Sequence, residues 1–344
     1  MSVTYILSPR EPLKTLSIVI PIYNEEEVLP LLHRAMVSLL DRLPCSTEVI
    51  LVNDGSSDNS IFELRHIAER DTRFKVISLA RNFGHQIAAT AGLDSARGEA
   101  IVLMDADLQE PSDLVLEMIA EYEKGYDIVY ARRSSREGES VFKRWSAWLF
   151  YRLMRGLIHK DLPTDVGDYR LTSRRCLDAL QSMRETHRFL RGMVSWIGFP
   201  QTYVSFKRAP RAAGQTKYPL SRMLKFAWTA AVSFSPLPLR LSFFVGVVLF
   251  TIGLAYGAYA LVRLALGLYL VPGWTSLIIL NCLSSGAVML GIGIVGEYVA
   301  RIFEQMKARP LYVVSDRFNL EEDLEPTARL ASQQPAPAKH VGTR

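Results

Sequence analysis

Between residues 16 and 131, short β-branched runs alternate with longer amphipathic stretches at roughly 25 to 30 residues, the spacing of βα units in a mostly parallel sheet. The strand candidates are 16–20, 48–52, 75–79, 100–104 and 127–130. Residues 25–43, 57–71, 85–96 and 111–124 read as the connecting helices, with Pro111 suited to a first helical turn. Four of the runs end in polar residues: Tyr23, Asn24 and Glu25; Asn53, Asp54 and Ser56; Arg81 and Asn82; Asp105 and Asp107. In open α/β sheets that edge is where ligands bind, so four separate segments deliver chemistry to one rim.

The chain has 344 residues, 49% of them hydrophobic, enough to bury a large core. Its mean hydropathy of +0.11 is high for a soluble enzyme, and the excess lies after Pro236. There, runs 239–262 and 274–299 each exceed roughly 20 residues with few charges, and Val271, Pro272 and Gly273 lie in the turn between them. This pattern predicts a helical hairpin through a bilayer. Two spans leave both flanks on one side. Those flanks carry Arg222, Lys225 and Arg240 before and Arg301, Lys307 and Arg309 after, which places them, with the first domain, in the cytosol. Glu297 and Arg301, one turn apart, read as a local ion pair.

Residues 132–140 read equally as a solvated loop and as a mobile flap over the rim. Residues 145–158 alternate aromatic and basic side chains, as a helix at a lipid interface does, although a core helix is the alternative. The segment 321–344 is acidic and then rich in Pro, Ala and Gln, the composition of a disordered tail. Residues 1–12 hold no apolar signal-peptide core, so export of the first domain is not expected. Cys45, Cys176 and Cys282 have no CxxC spacing and imply neither a disulfide nor a metal framework. The net charge of +5 suits anionic partners without choosing among nucleic acid, phospholipid and phosphorylated substrates.

The strongest chemical signal is Met104-Asp105-Ala106-Asp107-Leu108-Gln109. A strand ending in two carboxylates one residue apart is a compact oxygen site for Mg²⁺ or Mn²⁺, whereas Asp-x-Asp in isolation is usually a turn or a cap. The second signal pairs Ile20-Pro21-Ile22-Tyr23-Asn24-Glu25-Glu26 with Val52-Asn53-Asp54-Gly55-Ser56-Ser57-Asp58. Here Asp54 can accept from a base imide or a ribose hydroxyl, Gly55 permits a tight turn, and Ser56 or Ser57 can cap the next helix. GxGxxG and GxxxxGK[ST] are both missing, which removes dinucleotide-fingerprint and P-loop readings.

With segments 79–86 (LARNFGHQ), 164–171 (TDVGDYRL) and 211–218 (RAAGQTKY), these motifs resemble glycosyltransferase family 2, in particular its dolichyl-phosphate mannose synthase-like enzymes. Within that group the sequence looks most like the bacterial polyisoprenyl-phosphate (bactoprenol) glucosyltransferases, over residues 16–309. The resemblance implies a GT-A (Rossmann-like) α/β domain followed by a two-helix transmembrane hairpin. The boundaries expected are 1–215 for the cytosolic GT-A domain, 216–238 for juxtamembrane amphipathic helices and 239–301 for two transmembrane helices. A cytosolic segment, 302–318, and a disordered tail, 319–344, complete the chain.

The resemblance also implies roles. Pro21, Tyr23, Glu25, Asp54, Ser56, Arg81 and Asp105 would hold the nucleotide sugar, and Asp105, Asp107 and Gln109 the Mg²⁺ or Mn²⁺. Asp165 and Asp168 would join Asp105 and Asp107 as catalytic carboxylates beside sugar and acceptor. Arg132, Arg170, Arg211, Thr216 and Lys217 would bind the acceptor phosphate, although the last three also read as a basic patch attracted to anionic lipid. The activity implied is transfer of one sugar, glucose from UDP-glucose, to polyisoprenyl phosphate with inversion, for cell-envelope glycan modification. Alternative donors are UDP-N-acetylglucosamine, UDP-galactose, a UDP-aminoarabinose derivative and GDP-mannose. The expected setting is the bacterial inner membrane, as a multi-pass protein and a homotetramer, with no nucleic-acid partner.

Rival readings fail on particular residues. A processive polysaccharide synthase needs Gln-x-x-Arg-Trp, and the segment ending in Arg144-Trp145 has Val141 where the Gln belongs. An inactive membrane scaffold would be expected to lose Asp105, Asp107 or Lys217, and all three are present.

Overall fold

The computed structural model describes residues 7–133, 166–206, 237–266 and 273–320. In chain order the first half gives β1 (Thr15–Ile22), α1 (Leu29–Leu40), β2 (Ser46–Asn53), α2 (Ser60–Arg70), β3 (Phe74–Leu79) and α3 (His85–Ser95). There follow β4 (Ala100–Leu103), α4 (Leu114–Glu123), β5 (Ile128–Arg133), β6 (Val166–Ser173), α5 (Arg174–Ser182), α6 (Leu190–Ile197) and β7 (Gln201–Phe206). The chain ends its described part with α7 (Leu237–Ala265), α8 (Trp274–Met306) and β8 (Val314–Phe318). One eight-stranded sheet is ordered β7-β5-β6-β4-β1-β2-β3-β8. Strands β4, β1, β2 and β3 pair in parallel, as do β5 and β7, while β6 and β8 run against their neighbours.

Helices cover both faces, which is why β1 and β2 read as continuous apolar runs rather than as alternating ones. Ile18, Ile20, Val49 and Leu51 pack with Leu32, Met36, Leu64 and Met118 on one side. Val19, Ile50, Val52 and Ile77 pack with Ala88, Ala91, Leu177 and Met193 on the other. On that second side α3 lies very close to the sheet. A Cβ on Gly92 would stand 2.9 Å from Val52 Cγ2 and closer still to Val19 Cγ1.

The five predicted strands and four helices are present; α3 starts at His85 as expected, whereas α1, α2 and α4 start later than the sequence suggests. Residues 25–28 form a turn, with Val28 N–H donating to the Glu25 carbonyl at 3.0 Å, before α1 begins with Pro30 in its first turn. Pro111 lies ahead of α4 rather than inside it, its carbonyl accepting from Leu114 N–H at 3.2 Å and from the Tyr169 hydroxyl at 3.1 Å. Neither Ser56 nor Ser57 caps α2, whose N-cap position is Asn59. Strands β6, β7 and β8 were not predicted. The predicted interfacial helix 145–158, most of the flap 132–140, the juxtamembrane segment up to residue 236 and the tail from 321 lie outside the described residues.

Both predicted apolar runs are helices, of 29 residues in α7 and 33 in α8. Among the described residues one stretch, Leu283–Met306, is long and apolar enough to cross a membrane, with mean hydropathy 1.5, and Ser242–Gly253 is a shorter apolar stretch. Large apolar side chains such as Phe243, Phe250 and Leu290 are exposed on these helices. Arg301 and Glu297 form the expected ion pair at 3.0 Å.

The last turn of α8 and the chain after it are bonded to the domain. Gln305 Oε1 accepts from Thr186 N–H at 2.8 Å, its amide donates to the Arg184 carbonyl at 3.1 Å, and His187 meets Glu304 at 2.7 Å. The Tyr312 hydroxyl donates to Asp94 at 2.9 Å, β8 covers the edge of β3, and Asn319 donates to the Ala68 and Phe74 carbonyls. The segment 302–318, expected as a cytosolic C-terminal segment, holds the last turn of α8 and a strand of the sheet.

Because α3 carries rim residues at its first turn, its seating on the sheet is testable. Gly92→Ala is expected to cost about 1–3 kcal/mol by overpacking against Val19 and Val52, read as a lower unfolding temperature of the detergent-solubilised chain.

Candidate active site at the carboxyl rim of the sheet

Parallel strands place their carboxyl ends at one rim, and an antiparallel strand brings its amino end there instead. The register Leu103↔Arg170 between β4 and β6 therefore puts Asp105, two residues past Leu103, near Asp168, two residues before Arg170. His85, at the start of α3, lies between them. Its Nε2 is 3.5 Å from Asp105 Oδ1 and 3.7 Å from Asp168 Oδ2. Gln86 Nε2 donates to Asp168 Oδ2 at 3.0 Å, and Arg170 Nη1 and Arg191 Nη2 each stand 3.5 Å from Asp168 Oδ1.

The charges respond to this crowding. Burial pushes the Asp105 carboxyl above its ordinary value, and Asp168 and Asp107 add to that push while His85 and Arg191 oppose it. Burial acts the same way on Asp168, but His85, Arg191 and Arg170 outweigh it and hold that carboxylate well below the usual range. For His85, burial favours the neutral ring, yet Asp168 and Asp105 together raise its pKa. Two nearby carboxylates thus differ in kind: Asp105 wants a further positive charge and Asp168 already has several.

Asp107 is partly exposed, and its Oδ1 accepts from Gln109 N–H at 3.2 Å. The Gln109 side chain is buried, and its Oε1 has no hydrogen-bond partner among the described residues. Between them Leu108 adopts a positive φ of 53°, so the chain reverses sharply after Asp107.

The other half of the rim is built from the loops after β1, β2 and β3. Ser56 Oγ accepts from Asn24 N–H at 3.0 Å, Ser57 N–H donates to Asn24 Oδ1 at 2.8 Å, and Glu26 accepts from Asn59 N–H at 2.8 Å. The serines that sequence reading offered as helix caps tie two loops together instead. Asp54 is buried and accepts from Phe83 N–H at 2.7 Å and Gly84 N–H at 2.9 Å, so one carboxylate fixes the loop that leads into His85. Burial raises its pKa against those two bonds.

Tyr23 is exposed at this end, Pro21 is buried beneath it, and Glu25 N–H donates to Ser60 Oγ at 3.0 Å. Arg81 lies over the Phe83 ring at 4.2 Å and Arg132 over the Tyr203 ring at 4.6 Å. Arg170, expected among the phosphate contacts, is buried against Asp168. Asp165, Arg211, Thr216 and Lys217 lie outside the described residues. Sequence reasoning did not assign His85, Gln86 or Arg191. The first two sit in the quoted 79–86 segment, whereas nothing in the local sequence marks Arg191.

Gly55 lets the loop after β2 approach the loop after β3 closely. Its φ is +62°, and a Cβ there would stand 2.6 Å from the Asn82 nitrogen. Gly55→Ala is expected to cost at least about 2 kcal/mol, read as a lower unfolding temperature of the detergent-solubilised chain.

A family model for "Glycosyl transferase family 2" matches residues 17–181, which include β1 to β4, β6 and most of α5. The uncharacterized glycosyltransferase YkcC of Bacillus subtilis is 44% identical over 305 residues, covering 89% of this chain and 94% of that protein. The prophage bactoprenol glucosyl transferase homolog of Escherichia coli is 33% identical over 299 residues, covering 87% and 98% of this chain and its own, respectively. The SfII prophage-derived bactoprenol glucosyl transferase of Shigella flexneri is 33% identical over 299 residues, covering 87% of this chain and 97% of that protein. Relatives that align along nearly their whole length, with a domain match over the acidic rim, identify the chain as a member of glycosyl transferase family 2.

Proposed function

We propose that this glycosyltransferase moves a single sugar, glucose from UDP-glucose, to polyisoprenyl phosphate with inversion of the anomeric centre, at the cytosolic face of the bacterial inner membrane. In a bacterium the acceptor is undecaprenyl phosphate, and the product is a lipid-linked sugar for cell-envelope glycans. The observation that carries this reading is the meeting of Asp105 and Asp107 with Asp168, His85, Arg170 and Arg191 at one rim. An acidic corner suits a cation-bound diphosphate, and the adjoining cations suit a second anion. Relatives named for bactoprenol glucosyl transfer support the choice of sugar and acceptor.

The donor set fits Mg²⁺ or Mn²⁺. Burial, with Asp168 and Asp107 nearby, raises the pKa of Asp105, Asp107 is accessible beside it, and the buried Gln109 Oε1 is an acceptor without a partner among the described residues. Among the described residues no three His, Cys, Asp or Glu side chains gather into a metal cluster of their own. When bound, such an ion neutralises the charge that builds on the departing nucleoside diphosphate.

A phosphate monoester with a second pKa of about 6 is largely dianionic at neutral pH and is already a nucleophile. Asp168, held low by its cations, is a poor proton acceptor, which favours orientation over general-base catalysis. It fixes Arg170, Arg191 and His85 beside the reacting groups. Arg132, Arg211, Thr216 and Lys217 complete the acceptor phosphate site in this reading, with Asp165 nearby. The nucleoside lies along Tyr23, Glu25, Asp54, Ser56 and Arg81.

The membrane part follows from the two ends of the helix pair. The end of α8 is bonded to the domain through Glu304 and Gln305, which puts that flank at the catalytic side, and two crossings with both flanks there are the arrangement proposed. Exposed apolar side chains on both helices then face lipid, and the oligomer proposed is a tetramer.

Asp105→Ala is expected to lower transfer by more than about a hundredfold while membrane insertion stays intact, measured as labelled glucose passing from UDP-glucose to undecaprenyl phosphate. Chelation should abolish turnover and Mg²⁺ or Mn²⁺ restore it; full activity in chelator would overturn the metal assignment. Lys217→Ala should raise the acceptor KM about tenfold and leave the donor KM unchanged. A panel of labelled nucleotide sugars, with the lipid product identified, tests glucose against the alternative donors.

A further inference from the structure

Asp168 is surrounded by cations, but charges at 3.5 to 3.7 Å attract without fixing a direction. Among the described residues the one contact on its carboxylate at ordinary hydrogen-bond length comes from a neutral group, Gln86 Nε2 at 3.0 Å. The orientation of that amide is settled by its other end. Gln86 Oε1 accepts from the backbone N–H of Leu190 at 3.0 Å, and a backbone N–H can only donate, so the NH₂ must face Asp168.

Gln86 therefore joins three elements. It stands in the first turn of α3, beside His85; it donates to Asp168 on β6; and it accepts from the first residue of α6, next to Arg191. The whole rotamer is held at both ends, and α3 is held in turn by the close seating of Gly92 on Val19 and Val52. A neutral donor held at both ends can set the carboxylate plane within a cage of more distant charges.

We propose that Gln86 is a positioning residue of the transfer reaction: it acts through Asp168, fixing the carboxylate against which Arg170, Arg191 and His85 are arranged. This inference rests on the reading of Asp168 as an acceptor-side carboxylate. It gives Gln86 no contact with donor or acceptor.

The test uses the full-length chain in detergent with UDP-glucose, undecaprenyl phosphate and Mn²⁺. Gln86→Leu removes the donor and the acceptor together, whereas Gln86→Glu keeps an oxygen for Leu190 N–H and turns a carboxylate oxygen toward Asp168. Both are expected to lower kcat by about 10- to 100-fold, Gln86→Glu the more, with the KM for UDP-glucose within about twofold of wild type. Gln86→Leu added to Asp168→Asn should lower kcat no further than Asp168→Asn alone. A merely structural role predicts the reverse: Gln86→Glu close to wild type, and Gln86→Leu losing unfolding temperature and both KM values together. Wild-type kcat in Gln86→Glu, or fully multiplicative losses in the double variant, would overturn the proposal. If Asp168→Asn itself retains wild-type turnover, the underlying reading of Asp168 fails instead, whatever Gln86 does.

Discussion

Carboxylates cannot be gathered at one edge of a sheet without positive charge to hold them there. Asp105, Asp107 and Asp168 lie within reach of one another because β6 runs against β4 and returns its amino end to the rim. The repulsion this creates is answered unevenly. Among the described residues Asp168 is met by His85, Arg170 and Arg191, while Asp105 is met by His85 and Arg191 and keeps a pKa raised mainly by burial. That imbalance gives one acidic corner to an incoming cation and makes the other a fixed part of the protein.

Much of the scaffold holding this arrangement was legible in the sequence. β1 to β5 and α1 to α4 announce themselves because a parallel strand buried on both faces must be an unbroken apolar run, and the helices between them must carry an apolar stripe. Strand β6 does not announce itself. Its sequence, VGDYRLTS, holds a glycine, an aspartate and a buried arginine, residues that read as a loop unless the partner of Arg170 is known. The same limit hid β8, whose residues Ser315, Asp316 and Arg317 are polar because the strand lies at the edge.

The site divides along similar lines. Asp105, Asp107 and Asp54 were found because they follow strand-like runs directly. His85, Gln86 and Arg191 gain their meaning only when α3 and α6 are packed on the sheet, and no local pattern encodes that meeting. Ser56 and Ser57 show the opposite error, since a helix-cap signature was real as chemistry but was spent on a neighbouring loop.

Strand β8 has a consequence for how the chain is made. Synthesis runs from the amino end, so β3 emerges early and stays an open edge until the last described strand appears, after both long helices. Synthesis of those helices therefore precedes closure of the sheet, and an exposed row of backbone donors and acceptors on β3 must be kept from pairing with other nascent chains meanwhile. Completion of the sheet is thus timed by synthesis of the two long apolar helices.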